Sequence, residues 1–213
     1  MVNNILGFDC MPKLKTQGAN IIRYMKLMGY KIRALNIVYL EGINAKDILT
    51  LNDDLIDRWN DVRCIVTDKG DVLLSAQATT EPGWFYRKNR MNPRGAAQLA
   101  FGQYLDCWKI GKHYSQDALV QCGEISVFRD NNEDGYRKND ELFKGSDFYI
   151  NQHTTGGILP DLVGRWSAGC LVGRYPETHK QFMRICRSMG LETFDTTLID
   201  GSKFAEFSNN GKD

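Results

Sequence analysis

Short strand-like runs separated by turn residues fill the middle of the chain, and helical patterns occur only near its two ends. Residues 63–67 and 72–78 are rich in β-branched and apolar residues and flank the turn Asp68-Lys69-Gly70-Asp71, which predicts a β-hairpin. The same composition predicts strands at residues 35–40, 118–121, 124–129 and 147–152. Because the chain shows no internal repeat and no linker, we predict one mainly β domain with flanking helices (α+β) over residues 1–213.

Helical spacing of apolar residues predicts an amphipathic N-terminal helix at residues 13–29 and another at residues 177–188, directly after Pro176. A short helix is expected around residues 53–59. Residues 79–92 combine aromatic and basic side chains in a loop, and two interpretations carry equal weight. The loop lines a binding site, or it is a surface loop pinned by one buried Trp.

The bulk composition excludes several classes of partner. The 27 basic and 26 acidic residues leave a net charge of +1, so no global field favours nucleic acid or an anionic membrane. No apolar stretch reaches the length of a membrane span. Residues 1–15 lack the basic segment and long apolar run of a secretory signal peptide. We therefore expect synthesis in the cytoplasm without an export signal.

Six cysteines occur without a CxxC pair or a zinc-ligand spacing, and we expect them to be reduced. Five of them fit inert, buried thiols: Cys10, Cys64, Cys107, Cys122 and Cys186.

Cys170 differs from the other cysteines because small residues surround it, in the run Ser167-Ala168-Gly169-Cys170. The glycine permits a sharp turn, and the N–H groups of Gly169 and Cys170 would stabilise an oxyanion. His153, at the end of a predicted strand, is the expected general base, because a histidine partner raises the thiolate fraction of a cysteine. His113 lies in a polar loop with no assigned role, and His179 is expected at the surface. The candidates to orient the imidazole are Gln152, Asn151 and the carbonyls around Gly156-Gly157.

His153 followed by Ser167-Ala168-Gly169-Cys170-Leu171 resembles the signature of the L,D-transpeptidase catalytic-domain family. The stretch also resembles a group of phage and bacterial proteins in which a GINxH strand precedes GxWSAGC. The resemblance covers residues 149–174 and implies an L,D-transpeptidase-like β-sandwich or barrel. It implies that Cys170 is the nucleophile and His153 its base, with Gly169 and Ser167 in the same catalytic turn. It also implies an acyl-enzyme formed from a peptidoglycan stem peptide, with no cofactor required.

Two positions depart from the family pattern. Ala168 replaces the usual second His, and Val172 stands where the family has Asn or Arg. Arg165 and Arg174 are the expected replacements for carboxylate recognition, unless both are solvated surface residues. Trp166 and Gln152 complete the predicted substrate-binding set. These departures shift the expectation from transpeptidation toward hydrolysis.

The loop after residue 129 carries a possible calcium site. Oxygen-bearing side chains fall at Asp130, Asn132, Asp134 and Glu141, with Gly135 at the sixth position, which is the spacing of an EF-hand calcium loop. The residues before the loop predict a strand instead of the helix that an EF-hand requires. The alternative is a solvated hairpin whose Asn, Asp and Gly residues serve the turn.

Three functions follow from these observations. The first is a peptidoglycan-active cysteine enzyme, an endolysin-like peptidase that reaches the wall through a phage-made membrane pore and cuts stem-peptide or cross-link bonds. An L,D-transpeptidase that forms cross-links is the variant of this hypothesis. The second is a non-catalytic wall-binding or virion structural module. The third is a cysteine hydrolase that acts on another amide.

Overall fold

The computed structural model of the protein describes residues 11–45 and 47–210, without the side chains of residues 11–16, 48 and 49. Eight strands close into a barrel, each bonded to two neighbours. In order around the barrel they are β1 (Leu35–Glu41), β13 (Phe194–Asp200), β7 (Gly102–His113), β8 (Gln116–Gln121), β11 (Gln152–Thr154), β12 (Leu171–Gly173), β5 (Val72–Thr79) and β4 (Asp61–Thr67). The pairs β1–β13 and β11–β12 are parallel, and the other pairs are antiparallel.

Two smaller sheets accompany the barrel. The first has the order β10 (Glu141–Gly145), β9 (Ile125–Asp130) and β6 (Ala96–Leu99), and the second pairs β2 (Ile43–Asn44) with β3 (Asp47–Leu51). Four helices complete the described residues: α1 (Met11–Leu27), α2 (Trp84–Lys88), α3 (Pro176–Ser188) and α4 (Gly201–Asn210). No helix in the described part of the chain is both long enough and apolar enough to cross a membrane.

Strand β1 is buried on both faces, which explains the continuous apolar run from Ile37 to Leu40. Ile37 and Tyr39 point into the main core, whereas Val38 and Leu40 point the opposite way. This division follows from the two-residue period of a strand. The outward face of β1 and β4 packs against α1 and α4, and the main core joins the barrel strands to Phe182, Met183 and Cys186 of α3.

The predicted mainly β, α+β class is confirmed, and so is the hairpin, as β4 and β5. The helix expected around residues 53–59 is wrong. Asp54 and Asp57 have φ values of 44° and 66°, a left-handed backbone that interrupts a right-handed helix. Asp57 instead accepts hydrogen bonds from the backbone N–H groups of Trp84 and Gly164.

The strand expected at residues 147–152 is displaced toward the C-terminus. Tyr149 has a φ of 56°, which breaks the extended run, and the strand begins only at Gln152. His153 therefore lies within β11 instead of after it. The loop at residues 79–92 contains α2, whose buried residue is Arg87, while Trp84 is exposed.

Candidate active site

The parallel pair β11–β12 positions the predicted nucleophile and base. The register pairs Gln152 with Leu171 and His153 with Val172. Leu171 lies in the main core, so residues one step away in the strand face the opposite side. Cys170 and Val172 accordingly pack on that side in a separate cluster with Trp59 and Val163. His153 and Cys170 thus share the outer face of the barrel.

The turn that carries Cys170 is held by Ser167. The Ser167 hydroxyl donates to the Cys170 carbonyl at 2.8 Å and accepts from the Gly169 N–H at 3.1 Å. Gly169 has a φ of 126°, and a Cβ at this position would lie 2.5 Å from the carbonyl oxygen of Ala97. The backbone of this turn therefore requires glycine at position 169 and uses the hydroxyl of Ser167. This geometry corrects the prediction that Gly169 stabilises an oxyanion, because its N–H already donates to Ser167.

The Cys170 sulfur is buried and bonded to the backbone on both sides. Its Sγ accepts from the Asn151 N–H at 3.4 Å and donates to the Tyr149 carbonyl at 3.6 Å. Burial raises the pKa of the Cys170 thiol to about 11, and the Asn151 hydrogen bond opposes this increase. Cys170 therefore rests as a neutral thiol. It is 8% exposed.

The His153 imidazole is oriented by a backbone carbonyl. Its Nδ1 lies 3.0 Å from the carbonyl oxygen of Thr154. A carbonyl only accepts, so Nδ1 carries the proton and Nε2 of the neutral ring has a lone pair. Burial lowers the pKa of His153 to about 3, and the charges of His113 and Arg63 add to this effect. Thr154 thus supplies the orienting group, whereas the sequence suggested Gln152, Asn151 or the carbonyls near Gly156-Gly157.

His113 is the site residue that the sequence reasoning missed. It is the last residue of β7, and its ring stacks on the His153 ring with centroids 3.9 Å apart and planes 12° from parallel. One nitrogen of each histidine and the Cys170 Sγ all lie within 4.8 Å of one another. The polar sequence around His113 does not predict a strand. Only the strand order, in which β8 pairs with both β7 and β11, brings His113 near His153.

Asn151 fixes the tautomer of His113. The Asn151 Oδ1 accepts from the Gln121 N–H at 3.1 Å, so its Nδ2 is the donor that faces His113 Nδ1, also at 3.1 Å. His113 Nδ1 is therefore an acceptor, and the neutral ring carries its proton on Nε2. Burial lowers the pKa of His113 and favours this neutral form.

Two imidazoles and a thiol within 4.8 Å also form a candidate metal-binding group, the only such group among the described residues. The ring orientation does not fit one shared ion. Imidazole lone pairs lie in the ring plane, and two nearly parallel stacked rings cannot both direct them at an ion bound at about 2.0 Å. Asn151 also holds the His113 proton on Nε2. The arrangement suits proton transfer and hydrogen bonding better than metal ligation.

The predicted substrate-binding residues have different surroundings. Gln152 is buried in the barrel, where it bonds to the Tyr39 hydroxyl and the Thr196 hydroxyl, which corrects its predicted role in substrate binding. The Arg174 guanidinium donates to the Gln77 side chain at 3.0 Å and to the Pro160 carbonyl at 3.2 Å.

Two members of the predicted set lie in the segment that leads into the Cys170 turn. Trp166 packs against the cluster that contains Cys170. The exposed Arg165 places its guanidinium 3.7 Å from the centre of the Phe85 ring. Trp166 and Arg165 thus stay candidates for binding a substrate.

The acidic loop does not gather its side chains around one point. Asp130 is buried, lies 3.5 Å from the Arg87 guanidinium and accepts from the Gly135 N–H. Asn132 donates to Asp134, and Glu141 lies exposed on β10. In the described ranges, Asp130, Asp134 and Glu141 do not meet the geometry of a three-ligand group. This geometry argues against the predicted calcium site and favours the turn-forming alternative.

His179 is buried, contrary to the surface position expected for it. Its Nε2 donates to the Asp117 carbonyl at 2.8 Å, so its Nδ1 accepts from the buried Arg63 guanidinium at 3.1 Å. Burial lowers the pKa of His179 to about 3. The five described cysteines are all free thiols, as expected, although Cys122 is exposed; Cys10 lies outside the described residues.

Comparison with known protein families, curated proteins and solved structures finds no match to this chain.

Proposed function

We propose that the protein is a cysteine enzyme that transfers acyl groups through Cys170, with His153 as its base. The observation that carries this proposal is the placement of a His153 nitrogen within 4.8 Å of the Cys170 Sγ, with Nδ1 of the same ring bonded to Thr154. This is the arrangement of a nucleophile, a base and a group that orients the base. The polar contacts of Ser167 explain why Cys170 sits in a defined turn.

The proposed reaction starts from a neutral pair, because the pKa of Cys170 is raised and the pKa of His153 is lowered. The thiol proton moves to His153 Nε2 while Sγ attacks the carbonyl carbon of an amide. The C–N bond then breaks, His153 returns the proton to the leaving amine, and a thioester remains on Cys170. Water or a second amine then attacks the thioester, and His153 accepts a proton from that group. The C–S bond breaks, the acyl product leaves, and His153 returns the proton to the Cys170 sulfur.

Bacterial peptidoglycan is the proposed substrate, and an L,D-transpeptidase-like fold is the proposed architecture. Both rest on the resemblance of residues 149–174 to that family. Ala168, in place of the second motif histidine, favours water as the acceptor and therefore an endolysin-like peptidase. In this proposal the protein acts on the cell wall after release by a phage-made pore. Transpeptidation is the variant in which an amine replaces water.

A non-catalytic wall-binding or virion structural module is the second candidate. The low exposure of the Cys170 sulfur and its raised pKa favour this candidate, because a reactive cysteine is usually accessible and partly ionised.

Digestion of purified walls tests the proposal. Wild type should release free amines, whereas Cys170→Ala should release none and His153→Ala should lose most of the rate. Cys122→Ala is the matched control, because Cys122 is an exposed thiol whose sulfur bonds to the Asp106 carbonyl, and it should keep the wild-type rate. Mass spectrometry of the released fragments separates hydrolysis from amine transfer. Equal release by wild type and Cys170→Ala, or binding to walls without any release, contradicts the proposed enzyme.

A further inference from the structure

In the proposed site, the Gly169 N–H of the catalytic turn does not serve as an oxyanion donor. An amide attacked by a thiol develops negative charge on its carbonyl oxygen, and a preorganised N–H group that faces this oxygen stabilises the transition state. The Gly169 N–H donates to Ser167 at 3.1 Å. The turn therefore offers only the Cys170 N–H, and a second donor has to come from another element.

His113 presents a donor with a fixed tautomer. The chain of contacts from the Gln121 N–H to Asn151 and from Asn151 to His113 Nδ1 leaves the ring proton on Nε2. The ring is also held in place on two sides. It stacks on His153, and the exposed Tyr114 packs edge-to-face against it with ring centroids 4.8 Å apart.

The distances suit a hydrogen bond to the reacting carbonyl. A His113 nitrogen lies within 4.8 Å of the Cys170 Sγ. The oxyanion is bonded to the carbon that Sγ attacks, so a substrate whose carbonyl oxygen points toward His113 places its oxyanion between Sγ and the ring. In that pose, an N–H···O hydrogen bond of about 2.9 Å between heavy atoms can form.

We propose that neutral His113 is a catalytic residue that donates its Nε2–H to the oxyanion formed when Cys170 attacks an amide carbonyl. The inference rests on the proposed acyl transfer. The two stacked rings have different roles in this proposal. His153 accepts and returns the proton, and His113 keeps its own proton throughout. When Sγ bonds to the carbonyl carbon, the C=O π pair moves to oxygen beside Nε2–H. It returns to re-form the carbonyl as the C–N bond breaks.

Two reagents separate this role from a general effect on the thiol. Acylation of Cys170 by p-nitrophenyl acetate passes through a tetrahedral oxyanion, whereas alkylation by iodoacetamide does not. Both reactions need the thiolate. A change that affects only acylation therefore reports on the oxyanion and not on the ionisation or exposure of the sulfur. Mass spectrometry of the Cys170 peptide measures each rate separately from labelling of the other cysteines.

The variants His113→Phe and His113→Gln form a matched pair in a Cys122→Ala background. Phenylalanine keeps a ring against His153 but has no N–H, so acylation should fall ~100- to 1000-fold. Alkylation should stay within about threefold of wild type, since no oxyanion forms and the stack is kept. Glutamine keeps an amide N–H at the position of Nε2 and should recover about tenfold of the lost rate.

Three outcomes overturn the inference. Unchanged acylation in His113→Phe would show that His113 does not donate to the oxyanion. Equal losses of acylation and alkylation would show that His113 acts on the thiol or on His153 instead. The alkylation rate also reports whether the variant has kept its Cys170 environment. Neither result contradicts the proposed function, provided that wild type is acylated at Cys170. Alkylation of wild type without any acylation at Cys170 overturns the proposed function together with the role of His113.

Discussion

The imidazole of His113 stacks on the imidazole of His153, with centroids 3.9 Å apart and planes 12° from parallel. Burial opposes positive charge on both rings, and the charge of His113 adds to this effect at His153. Both rings are therefore neutral at ordinary pH. A neutral base beside a neutral thiol means that the resting site is not a thiolate–imidazolium pair.

Alkylation of Cys170 should depend steeply on pH. The pKa of this thiol is raised to about 11, so the thiolate fraction should grow about tenfold for each pH unit between pH 7 and 10. Iodoacetamide labelling of the Cys170 peptide, followed by mass spectrometry, measures the rate at each pH. A rate that levels off by pH 8 would show a preformed ion pair and contradict this reading.

Ser167 should matter for stability as well as for activity. Ser167→Ala removes the acceptor of the Gly169 N–H and the donor to the Cys170 carbonyl, and both groups are buried. Loss of these contacts should lower the free energy of unfolding by ~1–3 kcal/mol. Urea denaturation measures this change.

Ser188→Ala is the matched control for Ser167→Ala. Ser188 is exposed at the end of α3 and bonds only to the Ile185 carbonyl in the same helix. This variant should change the free energy of unfolding by no more than ~0.5 kcal/mol. Equal losses in the two serine variants would show that Ser167 does not hold the turn.

The fold and the site differ in how far the sequence predicts them. Apolar runs predict β1 and the β4–β5 hairpin, and helical spacing of apolar residues predicts α3, because local pattern and burial agree in these elements. The small residues around Cys170 and its spacing from His153 predict that the two residues lie close together, which the structure confirms.

His113 and the orienting carbonyl of Thr154 are not recognisable in that way. Their roles depend on which strands are neighbours, and a single sequence does not specify strand order. The roles predicted for the Gly169 N–H in oxyanion binding and for the Gln152 side chain in substrate binding are also wrong. The Gly169 N–H donates to the Ser167 hydroxyl, and the Gln152 side chain donates to the Thr196 hydroxyl inside the barrel. Neither partner is apparent from spacing alone.

Asn151 should control the protonation of His113. In Asn151→Asp, a carboxylate replaces the amide donor that faces Nδ1, so it should accept a proton from the ring and stabilise the imidazolium. The pKa of His113, which burial lowers in wild type, should therefore rise. NMR of the histidine ring protons across the pH range measures this shift. Asn89→Asp, at an exposed position after α2, should leave the His113 titration unchanged. A lower pKa in Asn151→Asp would contradict the tautomer assignment.

A buried acid network at the end of β1 and β4 shares one hydroxyl proton. The Thr80 hydroxyl lies 2.7 Å from Glu41 Oε2 and 2.9 Å from Asp61 Oδ2. One hydroxyl donates to only one of two carboxylates, so the other acid must hold a proton. The Arg137 guanidinium donates to Glu41 at 2.6 Å. Burial and the negative charge of Glu41 raise the pKa of Asp61 well above its usual value, so Asp61 is the protonated member.

This network predicts a stability contribution that decreases as pH rises. The folded pKa of Asp61 lies above its unfolded value of about 3.9, so its contribution is complete below that pH and declines above it. Asp61→Asn should destabilise the protein most near pH 4 and progressively less toward pH 8, as urea denaturation at several pH values would measure. Glu133→Gln should show the opposite trend, because Lys88 and Arg90 lower the pKa of Glu133. A difference between wild type and Asp61→Asn that grows with pH would mean that Asp61 is ionised in the folded protein.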